Sequence, residues 1–290
     1  MTKETPLVFG EQQLIGIVHS PEQHTKTGVV IVVGGPQYRI GSHRQFIKLS
    51  RFLAQHNIAS IRFDCIGMGD SDGEFKSFMD IDSSIKQAIN CLIKSSPQLK
   101  NIVLWGLCDA ATAITKYCST DSRISGLFLL NPWVKDEQLA AESLVKNHYK
   151  KQLLSADFWK RVFTGKVKIF SAATDFAKNL FAMKKGNKKQ QEQSLNIKET
   201  EKKLPNSLQQ MMLHQLQEFT GKVEIILSEN DLTAQEFSTA TASQSWRELI
   251  RNKPIPTTTI ADANHTFASE KWRSQVQELT LRFIDRVYPS

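Results

Sequence analysis

Long apolar runs are missing from this chain of 290 residues. No stretch approaches the ~20 apolar residues that a membrane-crossing helix needs, so no transmembrane segment is expected. The opening MTKETPLVFGEQQL also lacks the apolar core of a secretory signal, and a cytoplasmic protein is expected. Cysteine is scarce: Cys65, Cys91, Cys108 and Cys118 are too few and too scattered for a disulfide scaffold, and none makes a C-x-x-C pair. No grouping of His, Cys, Asp and Glu has metal-ligand spacing, so no metal and no cofactor are expected. Acidic side chains are outnumbered, 29 against 37 Lys plus Arg, for a net charge of +8. Much of that excess sits in KKGNKKQ (Lys184–Gln190) and KETEKK (Lys198–Lys203), without interleaved aromatics or a nucleic-acid motif. A solvated basic loop near residues 184–203 is the expectation, with no nucleic-acid partner.

What is present is a rhythm of short apolar runs and helical patterns. Val29–Val33 is continuous and β-branched, as a strand buried on both faces requires. Further strands are predicted at Ile58–Phe63, Asn101–Trp105, Gly126–Leu130, Val223–Leu227 and Thr258–Ala261. Helices are predicted over Ser42–His56, with Ser42 as N-cap, over Ile81–Ile93, after the Asn101–Trp105 strand, and over Glu270–Val287. Residues 7–19 alternate like an antiparallel edge pair. Strand and helix in alternation imply a mostly parallel sheet flanked by helices, assembled from residues 1–132 and 221–290. Between them, 133–220 shows no strand pattern and spreads aromatics at helical spacing, which predicts a helical cap insertion.

The segment NIVLWGLCDAATA (Asn101–Ala113) reads as strand, sharp turn and helix, with Cys108 at the tip. A side chain thrust out of such a turn is crowded by its neighbours two before and two after, so both must be small; here they are Gly106 and Ala110. The G-x-S-x-G nucleophile elbow obeys the same rule. Sheets that carry this elbow present nucleophile, acid and histidine in that order. Asp231, in SENDLT after one strand, and His265, in ADANHTF after the last, complete the order, each at the strand ends where open α/β sheets gather their sites. Glu229 is the rival acid. The oxyanion donors are expected to be the N–H of Asp109 and one from the loop GGPQYRIGSHR, where Pro36 has none to give. That leaves Gly35 or Gln37, with Gln37 favoured. Tyr38, Arg39, His43 and Arg44 near the same opening are candidates for holding an anionic or hydroxylated substrate, against which ordinary solvation of a helix start is the competing account. Asp64–Ser71 (DCIGMGDS) follows a strand but has neither G-x-G-x-x-G nor G-K-[ST], so an architectural turn is expected.

The ordered set VVGGPQ, RFDCIGMGDSDG, LWGLCDAA, ENDLT and ANHTF resembles the α/β-hydrolase superfamily across nearly the whole chain. More narrowly, GGPQYRIGSHRQF, WGLCDAA, LLNPWV and LLSADFW resemble the first type of exosortase-A-associated hydrolase, bacterial proteins encoded with exopolysaccharide-synthesis systems. The resemblance implies the α/β-hydrolase fold, a Cys108–Asp231–His265 triad and a link to exopolysaccharide production, with synthesis proteins of that system as partners. Two departures stand out: Ile66 where D-x-R-G-x-G has arginine, and Gly34 where many members have histidine before glycine. The expected activity is cleavage of an ester, lactone or thioester through an acyl-thioester, on a small-molecule or acylated-sugar substrate. The alternatives are an acyltransferase modifying an exopolysaccharide precursor, and a non-catalytic scaffold that kept the fold.

Overall fold

The computed structural model describes residues 2–134 and 207–288, except 12, 24, 25 and 36. The expected cap, with its basic loop, therefore falls largely outside the described residues. The described strands are β1 (Lys3–Phe9), β2 (Leu14–Ser20), β3 (Thr27–Val32), β4 (Ala59–Phe63), β5 (Asn101–Leu107), β6 (Ile124–Leu130), β7 (Lys222–Ser228) and β8 (Thr257–Ile260). They form one sheet in the order β1-β2-β4-β3-β5-β6-β7-β8. β1 pairs antiparallel with β2, and β2 with β4; every later pairing is parallel. The alternating residues 7–19 thus lie in an antiparallel edge hairpin, with Leu7 opposite Gly16.

β3, β4 and most of β5 and β6 are buried at every position, which is why they read as unbroken apolar runs. Helices α1 (Gln45–Gln55), α2 (Asp82–Ser95) and α3 (Asp109–Tyr117) are followed by α4 (Leu208–Glu218), α5 (Leu232–Thr241), α6 (Gln244–Asn252) and α7 (Glu270–Val287). On one face of the sheet Val29, Ile31, Val103, Trp105 and Phe128 pack with Phe46, Leu49 and Leu53 of α1 and with Phe283 of α7. Alternate residues of the same strands face α2 and α3; a Cβ on Gly28 would meet Leu92 of α2 at 3.0 Å. Trp105 sits between the layers, edge-on to Phe46 at 5.7 Å, with its indole N–H donating to Thr280 Oγ1 at 3.3 Å. Each such fully buried side chain contributes roughly 1.5–3 kcal/mol.

One local expectation is corrected. Ser42 is not the N-cap of α1: residues Ser42–Arg44 make a 3-10 turn, and Arg44 occupies the cap position without a side-chain hydrogen bond. His43 and Arg44 have φ of 54° and 60°, so the chain turns through the left-handed region before the helix begins. Helices α5 and α6 also lie where no helix was expected, and α4, within the 133–220 insertion as expected from sequence, belongs to the same compact unit as the sheet.

Candidate active site

The sharp turn between β5 and α3 is real and strained. Cys108 has φ 62° and ψ −124°, a sparsely populated region for a residue with a Cβ, at a cost of about 1–3 kcal/mol. The surrounding structure holds it there: the Cys108 N–H donates to Leu130 O at 2.9 Å, and its carbonyl accepts from Ala111 N at 3.1 Å. The small-residue rule has a visible cause. A Cβ on Gly106 would lie 2.8–2.9 Å from the backbone of Ala110 and Ala111, and Ala110 itself is fully buried. Cys108 is partly exposed, whereas Cys65, Cys91 and Cys118 are buried. Burial pushes the thiols of Cys65 and Cys118 up to about 12 and raises that of Cys91.

Asp231 follows β7 as the N-cap of α5. Its Oδ2 accepts from Ala234 N at 3.1 Å and meets His265 Nδ1 at 2.9 Å, across 34 residues of chain. The capping bond fixes the carboxylate, and with only 8% of the residue exposed its pull on the ring is weakly screened. Hydrogen bonds from Asp231 first and Cys108 second push the His265 imidazolium up to about 10, overcoming the opposing effect of burial. With Nδ1 turned to the carboxylate, Nε2 is the ring nitrogen left for the sulfur. Thiol, imidazole and carboxylate thus meet at the C-terminal ends of β5, β8 and β7. Glu229, the rival acid, is exposed, and its Oε2 accepts from Asp262 N at 2.8 Å, bracing the histidine loop from outside.

The groups expected around the oxyanion divide differently. The Asp109 N–H lies at the start of α3, directly after Cys108. The Asp109 carboxylate folds back over the helix start: Oδ1 accepts from Ala110 N at 2.9 Å and Oδ2 from Gly35 N at 2.8 Å. Burial raises its carboxyl, while the N–H groups of Gly35, Ala110 and Asp109 itself and the nearby His265 hold it down. The Gly35 N–H is therefore already engaged, which corrects its expected role as a loop donor. The Oε1 of Gln37, the other candidate, accepts from Ser42 N at 3.0 Å.

Arg39 is likewise committed elsewhere, a correction to its reading as a substrate ligand. Its guanidinium pairs with Asp64 through Nη1 and with Asp70 through Nη2 at 2.6 Å, and its N–H donates to Asp64 Oδ1 at 2.6 Å. Asp64 has no exposed surface, so these bonds neutralise a buried carboxylate that otherwise has no cation beside it in its own loop, where Ile66 stands in place of arginine. The glycines of that loop are architectural: a Cβ on Gly69 would sit 2.3 Å from Asp64 Oδ2. Tyr38 is 44% exposed with Arg39 5.9 Å from its ring centroid, and His43 is exposed on the turn before α1. Among the described residues neither side chain has a hydrogen-bond or ion-pair partner that would fix it.

Asn131, directly after β6, joins the loops that carry acid and base. Fully buried, its Oδ1 accepts from Ser228 N at 2.8 Å, and its Nδ2 donates to Ser228 Oγ at 2.9 Å and His265 O at 3.0 Å. An asparagine ending a buried strand was the available signal, since few side chains satisfy donors and acceptors at once or tolerate its φ of 41°. Among the described residues no group of three or more His, Cys, Asp or Glu is arranged to hold a metal ion, and no helix is long and apolar enough to cross a membrane.

No family model and no curated protein matches the chain. Solved structures do. The Pyrococcus furiosus esterase Pf2001 superposes with a TM-score of 0.62 at 14% identity, covering 99% of this chain and 91% of its own. An α/β serine hydrolase homologue from Coxiella burnetii gives 0.56 at 11% identity, covering 97% of each chain. Est1E from Butyrivibrio proteoclasticus, described with ferulic acid bound, gives 0.54 at 12% identity, covering 96% of this chain and 99% of its own. Likeness at that level of identity is likeness of architecture, and together with the strand order it establishes that this chain has the α/β-hydrolase fold.

Proposed function

We propose that the chain is a cysteine-dependent hydrolase of carboxylic esters, lactones or thioesters. The observation that carries the reading is the meeting of a partly exposed thiol, held in a strained turn, with an imidazole whose far nitrogen is clamped 2.9 Å from a buried carboxylate. In the reactive form the proton of Cys108 resides on His265, and Asp231 stabilises the imidazolium and fixes its orientation. The sulfur adds to the substrate carbonyl, a C–S bond forms, and the carbonyl π pair moves onto oxygen. Donors near Asp109 meet that oxyanion; one such donor is worth on the order of 100–1,000-fold in rate. Collapse breaks the bond to the leaving group, which takes the proton from His265 and leaves an acyl-thioester on Cys108. Water then attacks the acyl carbon, His265 accepts its proton, and the C–S bond breaks to release the acid.

The likeness in fold to esterases supports carbonyl chemistry at this place in the sheet. The sequence strings shared with exosortase-associated hydrolases support acylated sugars of exopolysaccharide synthesis as the substrates to try first, in a cytoplasmic setting. The test compares wild type with Cys108→Ala and Cys108→Ser on a panel of acyl esters, lactones and acyl thioesters. Loss with alanine, partial activity with serine, and a mass increase of one acyl group on wild type are the expected results. Activity undiminished in Cys108→Ala overturns the proposal.

A further inference from the structure

We propose that the Asp109 side chain is a positioning residue for acyl transfer: its carboxylate clasps the loop after β3 to the elbow and leaves Gln37 as that loop's oxyanion donor. The inference rests on the acyl-transfer reading above.

Three observations converge on it. The Gly35 N–H donates to Asp109 Oδ2 at 2.8 Å across 74 residues of chain, so the bond ties the loop after β3 to the start of α3. Oδ1 is held by Ala110 N at 2.9 Å, so the carboxylate bridges the start of α3 and the loop with one oxygen for each. The room it occupies was made by a second residue: a Cβ on Gly34 would lie 2.0 Å from Asp109 Oδ1 and 2.7 Å from Ala110 N. The absence of a histidine at 34 thus has a steric counterpart in the acid at 109 together with the backbone of Ala110.

The consequence follows donor by donor. Gly35 N–H points to the carboxylate, and residue 36 is a proline with no N–H. Gln37 is next, and the bond from Ser42 N to its Oε1 holds it against the turn before α1. Among the described residues no acceptor meets the Gln37 N–H. The carboxylate is also a negative charge in the turn that carries the sulfur. The clasp and the charge therefore act in opposite directions, and two substitutions separate them. Asp109→Asn removes the charge but keeps an oxygen able to accept from Gly35; Asp109→Ala removes both.

The experiment measures two rates on the purified full chain. Alkylation of Cys108 by iodoacetamide, followed by peptide mass mapping, reports thiol reactivity without an oxyanion. Inhibition by a hexyl trifluoromethyl ketone reports the oxyanion, because the sulfur adds to its carbonyl and leaves the charge on oxygen. Alkylation is expected to quicken about threefold or more in both variants. Ketone affinity is expected to fall about tenfold or more in Asp109→Ala and to persist in Asp109→Asn. Tighter ketone binding in Asp109→Ala would mean that the carboxylate blocks the pocket, and unchanged binding would mean that it positions nothing; either overturns the inference. If Asp109→Ala does not fold, loss of ketone affinity in Asp109→Asn overturns it. A wild type that forms no ketone adduct sinks the acyl-transfer reading instead. Amide exchange at Gly35 then judges the clasp alone, with exchange no faster in Asp109→Ala than in wild type counting against it.

Discussion

Replacing Asp231 by asparagine removes one charge while keeping the shape of the carboxylate, and so tests how the imidazole is tuned. His265 stands at about 10 against an ordinary 6.5, with Asp231 the largest cause and Cys108 the second. At full weight that rise corresponds to about 5 kcal/mol. A third of the His265 side chain is open to water, and halving the figure for screening leaves about 2–3 kcal/mol. That predicts a loss of about 30- to 150-fold in kcat/KM at pH 7 in Asp231→Asn. The sign of the stability effect is also determined. A histidine whose folded value is raised contributes fully below pH ~6.5, and the contribution is lost as pH rises toward ~10. Wild type should therefore lose stability across that window in urea titrations, and the variant should show a shallower slope. An NMR titration of the His265 ring checks the cause directly: protonated through pH 8 in wild type, near the ordinary histidine range in the variant. A ring that titrates alike in both proteins would refute the reasoning, whatever happens to the rate.

Two other substitutions discriminate between readings of single residues. Arg39→Ala should destabilise the fold by about 3–5 kcal/mol, because the buried Asp64 carboxylate loses the cation paired directly with it, while KM in surviving protein stays within about twofold. A large rise in KM with unchanged thermal stability would restore Arg39 as a substrate ligand. Gly106→Ala should destabilise by about 1–3 kcal/mol and slow turnover, since the added methyl meets backbone rather than a flexible side chain. Differential scanning calorimetry beside a kinetic assay reads both, and a Gly106→Ala protein as stable and active as wild type would remove the steric account of the elbow.

The elements legible in the sequence are those whose burial is complete or strictly one-sided. β3, β5 and β6 lie inside the sheet with both faces covered, so their apolar runs are unbroken; α7 was located because its apolar stripe is sustained over Glu270–Val287. α5 escaped because its sequence, LTAQEFSTAT, buries only Ala234, Phe237, Ala240 and part of Glu236 in a Ser- and Thr-rich background. The order of thiol, acid and imidazole was readable because each follows a strand. The partners of Arg39 and Asp109 were not, because 25 and 74 residues of chain separate the groups that meet. A loop rich in polar residues near a site invites assignment to ligand binding. Whether a guanidinium is free for that task depends on a carboxylate that periodicity cannot bring near it.

Because Cys65 and Cys118 are sealed in the interior and Cys91 is nearly so, the molecule offers one accessible thiol to soft electrophiles. Intact-protein mass spectrometry of a covalent fragment library would then return a single-adduct signal for every hit, with no cysteine background to engineer away. The chemical shape of those hits would map the surroundings of Cys108 before any natural substrate is in hand.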